Sequence, residues 1–318
     1  MGRPADGAAG SDASLSMDAV DIREARKGLR SEVSGRLFTL KVLVCALITA
    51  AGCWLALQPH LTFRLFGVLL IGLMFAHAAE LQHETLHGLA YRSRRANRVV
   101  GVLLGLPMLI SFTAYRVIHM RHHRDLGTPQ NREFFDYGDQ YGAGERRTRM
   151  RNALTWLVRF TMVRHYWQFA TDVGRAVRDG DFDGESAVNS RRMRTEYLLV
   201  LFALLAAAAL SAVFTTPVVL WVWLLPLVIV AAPAHALIEL PEHFRCDVLD
   251  RSPFANTRTI KSNRLLTWYT NGNNFHVEHH LMPNLPIERL PDLHTEVRDS
   301  LRHYHSGYVA YFKSLISR

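Results

Sequence analysis

The sequence predicts an all-α integral membrane protein with four transmembrane helices in two hairpins. A re-entrant or interfacial segment and a helical cytosolic cap complete the predicted architecture. Three observations carry it: four apolar runs long enough to span a bilayer, basic residues confined to one side of them, and histidines gathered in three short clusters. The chain has 318 residues, 49% of them hydrophobic, a net charge of +9 and a mean hydropathy of +0.03. Such composition excludes disordered, collagen-like and disulfide-scaffold classes. Three cysteines are too few for a disulfide framework, and Cys45 and Cys53 lie in an apolar run, so nothing indicates an oxidising compartment.

Taken in order, residues 1–36 form a tail and lead-in to a single domain over 37–318. The first 20 residues are rich in Gly, Ala, Ser and Asp with no apolar core, which reads as a disordered tail and not a secretory signal. An amphipathic stretch, Asp21–Arg36, follows. Leu37–Leu57, with Lys41 as its one charge, is long enough to cross at about 1.5 Å per residue. Leu61–Ala79 returns after Gln58-Pro59-His60. Val99–Ala114 has 16 residues interrupted by Gly101, Gly105 and Pro107, which suits a re-entrant or interfacial segment. Arg146–Phe169 mixes six arginines with Trp156, Tyr166 and Trp167 and reads as a helix in the interface plane. Tyr197–Thr215 and Pro217–Ile238 form the second hairpin. The cap is then residues 80–196 and 239–318.

Charge supports this topology. Of 37 Lys and Arg, residues 1–36 carry 6, 81–196 carry 19 and 239–318 carry 10. That one-sidedness is the positive-inside pattern and places both termini in the cytoplasm. The basic charge belongs to a membrane surface, so a nucleic-acid partner is not expected. Lack of a transit peptide or retention motif points to a bacterial inner membrane.

Eight of the sixteen histidines form the clusters His83-Glu84-Thr85-Leu86-His87, His119-Met120-Arg121-His122-His123 and His276-Val277-Glu278-His279-His280. On a helix, positions i, i+3 and i+4 share a face, so each cluster can aim imidazoles at one point. An even number of membrane crossings separates the clusters, which puts all three on one side. Thiolate-free imidazole ligation suits iron, zinc, copper or nickel. Eight ligands are too many for one ion but suit a di-metal site with open positions. His83, Glu84 and His87 also match the H-E-x-x-H motif of zinc proteases, including intramembrane ones. That chemistry needs one further ligand and leaves two clusters without purpose. Glu84 is instead expected to hold an imidazole N–H. His60, His77, His165, His294, His303 and His305 read as ordinary interfacial or core residues.

The HxxxH, HxxHH, HxxHH triplet resembles the three histidine boxes of the membrane-bound fatty acid desaturase superfamily, over residues 77–295. Asn274-Phe275-His276-Val277-Glu278-His279-His280-Leu281-Met282-Pro283 is similar to its third box. The resemblance implies two iron ions in a cytosolic site above a four-span, mushroom-like body, with O2 as co-substrate. It also implies a ninth histidine between the last span and the third box. His235 and His243 are the candidates, and Glu242-His243 resembles the family's Glu-His pair. Asn273 and Asn274 could place a metal-bound water or build an ordinary Asn-rich turn.

The expected function is an O2-dependent oxidoreductase that introduces a double bond into a fatty acyl chain. A hydroxylase or ketolase of a lipid or carotenoid-like substrate is the alternative on the same scaffold. A zinc intramembrane protease and a metal-binding membrane protein without turnover are more distant. No side chain beyond the metal centre is needed as acid or base, because the cofactor does the hard step. Three cysteines cannot hold a four-cysteine iron–sulfur cluster, and no dinucleotide glycine fingerprint is present. Electrons must therefore come from an external ferredoxin-like or cytochrome-like donor with its reductase, which the arginine-rich surface suits as well as it suits anionic lipid.

Overall fold

A computed structural model describes residues 33–135, 149–213 and 217–316. Backbone in lipid must satisfy its own hydrogen bonds, so the apolar runs become helices. Helix α1 (Gly35–Ala56) begins at Ser34, whose Oγ accepts the Leu37 N–H at 3.4 Å. Helix α2 (Leu61–Leu86) follows a short turn and continues past Ala79, where the apolar run ends. The two lie close because Gly67 faces α1: a Cβ there would sit 2.4 Å from the Ala56 nitrogen. Small residues at such crossings gain packing that lipid, as apolar as the helices, does not drive.

Helix α3 (Arg94–Gly105) leads into a single tight turn, Leu106–Met108, and the chain bends by 99° before helix α4 (Phe112–Asp125). The segment 99–114 is therefore a corner between two helices. Pro107 lacks a donor there, and Leu109 turns left-handed at φ 61°. A carboxylate from a later helix fixes this corner. Glu196 accepts from Ser111 Oγ at 2.7 Å, Thr113 Oγ1 at 2.7 Å and the Thr113 N–H at 2.8 Å, at the electropositive start of α4.

Helices α5 (Arg149–Thr161) and α6 (Val163–Val177) replace the one interfacial helix expected over Arg146–Phe169. Met162, at φ 50°, breaks it, and residues 146–148 lie outside the described residues. Helix α7 (Ala187–Val213) carries Glu196 and packs on α6 and α4. Helix α8 (Leu220–His243) packs along α2, where a Cβ on Gly72 would lie 2.4 Å from Val230 Cβ. Two wide π-type stretches, Leu220–Leu224 and Pro226–Ala231, accommodate Pro226 within α8. Among the described residues, α1, α2, α7 and α8 are long and apolar enough to cross a membrane. Their outer faces are apolar and exposed, as at Leu47, Phe66, Phe202 and Ile229, which suits lipid and not water.

The chain after α8 builds a small second layer: α9 (Pro253–Asn256), β1 (Thr259–Ile260), α10 (Arg264–Tyr269), α11 (His276–Leu281), α12 (Leu290–Val297), β2 (Tyr304–His305) and α13 (Tyr308–Ile316). Strands β1 and β2 pair in parallel, Thr259 opposite Tyr304. Val277, Leu285, Leu290 and Leu293 are fully buried together and seat α11. Arg258 donates to the Pro241 and Phe244 carbonyls at 2.6 and 2.8 Å, satisfying oxygens freed at the end of α8.

Candidate metal centre

Each histidine cluster stands at or near a helix end. His83 occupies the last turn of α2 and His87 caps it. Helix α4 carries His119, His122 and His123 toward its C-terminus, and α11 is built from His276, His279 and His280. His243 is the last residue of α8. Arg116 ties the first two clusters together by donating from Nε to the Leu86 carbonyl at 2.9 Å.

These nine histidines converge in two adjoining groups. Donor atoms of His83, His87, His119 and His279 lie within 4.8 Å of one another, as do those of His122, His243, His276 and His280. His123 joins the first group, its Nε2 3.0 Å from His119 Nε2 and 3.1 Å from His279 Nε2. His119 Nε2 is also 2.8 Å from the Nε2 atoms of both His83 and His87. In the second group, His122 reaches His280 at 3.2 Å, His280 reaches His276 at 3.1 Å, and His276 reaches His243 at 3.1 Å.

Hydrogen bonding alone cannot account for this. A neutral imidazole nitrogen offers one proton or one lone pair, and His119 Nε2 faces three like atoms at once. Two ligands about 2.1 Å from a common ion and at right angles to each other lie about 3 Å apart. The observed spacings match the edges of such coordination shells, so both groups could hold a metal ion.

The opposite ring nitrogens are anchored from outside. His83 Nδ1 pairs with Asn273 Oδ1 at 2.9 Å, His122 Nδ1 with Asn131 Oδ1 at 2.9 Å, and His243 Nδ1 with the Asn256 carbonyl at 3.0 Å. Such bonds fix the tautomer that leaves Nε2 free for a metal. Sequence reasoning missed Asn131 and Asn256, which sit in irregular chain without periodicity. Glu80 was readable, since positions 80, 83, 84 and 87 follow helical spacing; it accepts from Asn273 Nδ2.

Three expectations about individual residues resolve here. Glu84 holds no imidazole: its carboxylate faces Lys41 Nζ at 3.5 Å and accepts from Asn271 Nδ2 at 3.0 Å, because its position on α2 turns it toward α1 and the third-box loop. His235 stands apart from the nine, with its Nε2 3.8 Å from both Glu80 and Glu239. Those three side chains are a third buried group that could hold a cation. Asn273 borders the histidines, whereas Asn274 is structural, bonded to the Ile260 carbonyl and to Thr270 Oγ1. Glu278 is structural too, pinned by Thr259 Oγ1 and by His294 Nδ1 at 2.6 Å.

Electrostatics keep the imidazoles in their ligating form. Burial, followed by the charge of neighbouring imidazoles, holds His87, His119, His123, His276, His279 and His280 well below the ordinary histidine value. His122 is lowered to about 4, again chiefly by burial. A void of about 20 Å³ touches His83, His119, His122, Glu133, Glu239 and Glu242, room for one water. Phe134 and Phe135, packed edge to face at 4.8 Å, separate it from a cavity of about 260 Å³ walled by Leu109, Ala114, Ile118 and Phe169.

Fold and site together define a helical membrane protein with a histidine-built centre fit for two metal ions. Residues 59–312 match the fatty acid desaturase family, and the chain belongs to it. No individual curated protein matches the chain. Membership makes it a lipid oxidoreductase of the desaturase and hydroxylase type.

Proposed function

We propose that this protein is an O2-dependent di-iron oxidoreductase that introduces a double bond into a fatty acyl chain. The observation that carries the reading is the double group of nine imidazoles, seven of them buried and those of His87 and His123 half-buried, next to an apolar cavity, with only an aromatic pair between them. His83, His87, His119, His123 and His279 would hold one iron, and His122, His243, His276 and His280 the other. Bound there, the irons supply the reduction of O2 to water, with two electrons from an external donor and two from the substrate C–H bonds. The chain's part is to position and to exclude. Phe134 and Phe135 would admit an apolar chain while keeping bulk water from the void, and the lining of the larger cavity would hold the rest of that chain. Arg164 and Gln168, exposed at the cavity's edge, would face a polar head group.

The basic surface on one side of the spans supports cytoplasmic termini and docking of an acidic donor. Glu84 argues against proteolysis. A general base must face the metal-bound water, but this carboxylate is engaged by Lys41 and Asn271. The deciding experiment is reconstitution with ferrous iron, a reductant system and lipid, followed by mass analysis. Loss of two hydrogens supports desaturation; gain of oxygen replaces it with hydroxylation or ketolation; absence of lipid turnover with peptide cleavage sinks the oxidoreductase reading.

A further inference from the structure

The two groups differ in what else faces them. Carboxylates gather on the four-histidine group. Glu242 Oε2 lies 3.4 Å from His276 Nε2, and Glu133 Oε1 lies 3.9 Å from His243 Nε2. Both glutamates wall the small void together with Glu239. Glu242 is 8% exposed, and its carboxylate accepts no hydrogen bond among the described residues. A buried carboxylate without a donor is strongly unfavourable unless a cation or a proton neutralises it.

Its placement fits a cation. Two ligand atoms about 2.1 Å from one ion lie about 3.0 Å apart at 90° and about 3.6 Å apart at 120°, the angles of a five-coordinate shell. Glu242 Oε2 and His276 Nε2, 3.4 Å apart, stand within that range. Among the described residues His276 Nδ1 has no hydrogen-bond partner, so Nε2, with His243, His280 and Glu242 around it, is the nitrogen of that ring placed at the shared point. Charge balance points the same way. Neutral imidazoles bring no charge to offset a pair of divalent cations in a buried site, whereas Glu80, Glu133, Glu239 and Glu242 stand beside it.

We propose that Glu242 is a carboxylate ligand of the four-histidine site. One ion is then held by imidazole nitrogen alone, and the other by imidazole nitrogen plus a carboxylate oxygen. A hard oxygen donor makes the second site chemically distinct from the first. The assignment rests on reading the two groups as metal sites.

The test uses the full-length protein in detergent, loaded anaerobically with ferrous iron and read by iron counting and Mössbauer spectroscopy. Unaltered protein should bind two irons and give two quadrupole doublets of equal weight. Glu242→Gln should shift or lose one doublet and keep the other, with iron falling toward one per chain after a chelator wash that the unaltered protein withstands. The retained doublet shows that the variant is folded. If Glu242→Gln binds no iron at all, Glu242→Asp decides: two irons with one doublet shifted support the ligand, and two unshifted doublets or no iron overturn it. Two irons with both doublets unchanged in Glu242→Gln overturn the ligand while leaving the two-metal reading intact. One metal or none in the unaltered protein overturns both.

Discussion

The five-imidazole group is built around a hub, and the four-imidazole group is not. His119 Nε2 touches His83, His87 and His123 within 3.0 Å, whereas the second group runs as a chain from His122 through His280 and His276 to His243. The boxes are not allotted one to a group. Helix α4 sends His119 and His123 to one group and His122 to the other. Helix α11 likewise sends His279 one way and His276 and His280 the other. Adjacent residues on a helix point about 100° apart, so an HxxHH run divides itself between two sites. The first box and His243 remain exclusive, one to each group.

That exclusivity gives the sharpest way to break the division. His87→Ala and His243→Ala should each abolish turnover and reduce bound metal from two ions to one, with complementary spectra. The loss of affinity should exceed the roughly 100-fold that an outer hydrogen-bond partner costs. If both variants lose the same ion, the two-group description fails. A smaller effect is expected from the anchors. Asn273→Ala, which frees His83, and Asn131→Ala, which frees His122, should each weaken metal binding about 10- to 100-fold at its own group only. Competition with a graded chelator series would measure this, and equal weakening at both groups would count against it.

Acid should act next. Burial lowers His122 to about 4 in the folded chain, whereas the unfolded chain takes up a proton near the ordinary value of 6.5. The stability this imidazole contributes is therefore complete above about 6.5 and falls as pH drops toward about 4. Each such imidazole contributes up to about 1.4 kcal/mol per pH unit. Thermal unfolding of the metal-free protein across that range would show it, and a flat profile would contradict it. The smallest effect concerns Glu84→Gln. Turnover should stay within about five-fold and stability within about 1 kcal/mol, because the amide can still accept from Asn271. Activity lost with both metals retained would return Glu84 to the chemistry.

The sequence made the apolar helices legible through run length, but not where they stop. Helix α2 extends from Ala79 to Leu86 because its polar last turns are buried against other protein, which hydropathy cannot register. The interfacial helix was overdrawn because nothing in the residue pattern marks Met162 as a break. Imidazole spacing disclosed the eight box histidines, since local helical geometry fixes their directions. Spacing sets His122 apart from His119 and His123, and His279 apart from His276 and His280, but not which of them meet across helices, which depends on how α4 and α11 are turned against each other. Glu133 and Asn131 stayed hidden because irregular chain delivers them.

The distance along the chain between partners has a consequence for biogenesis. His83 meets His119 across 36 residues, but His123 meets His279 across 156 and His122 meets His280 across 158. Synthesis runs from the N-terminus, so neither site can be finished until almost the whole polypeptide has been made and its membrane helices inserted. Loop closure grows only slowly with length, about 0.6 kcal/mol per doubling, so ions bound at the end could staple these distant segments at modest entropic cost. Metal uptake at these groups would then mark completed assembly: a chain truncated before α11 would carry its first two boxes without a centre in which to use them.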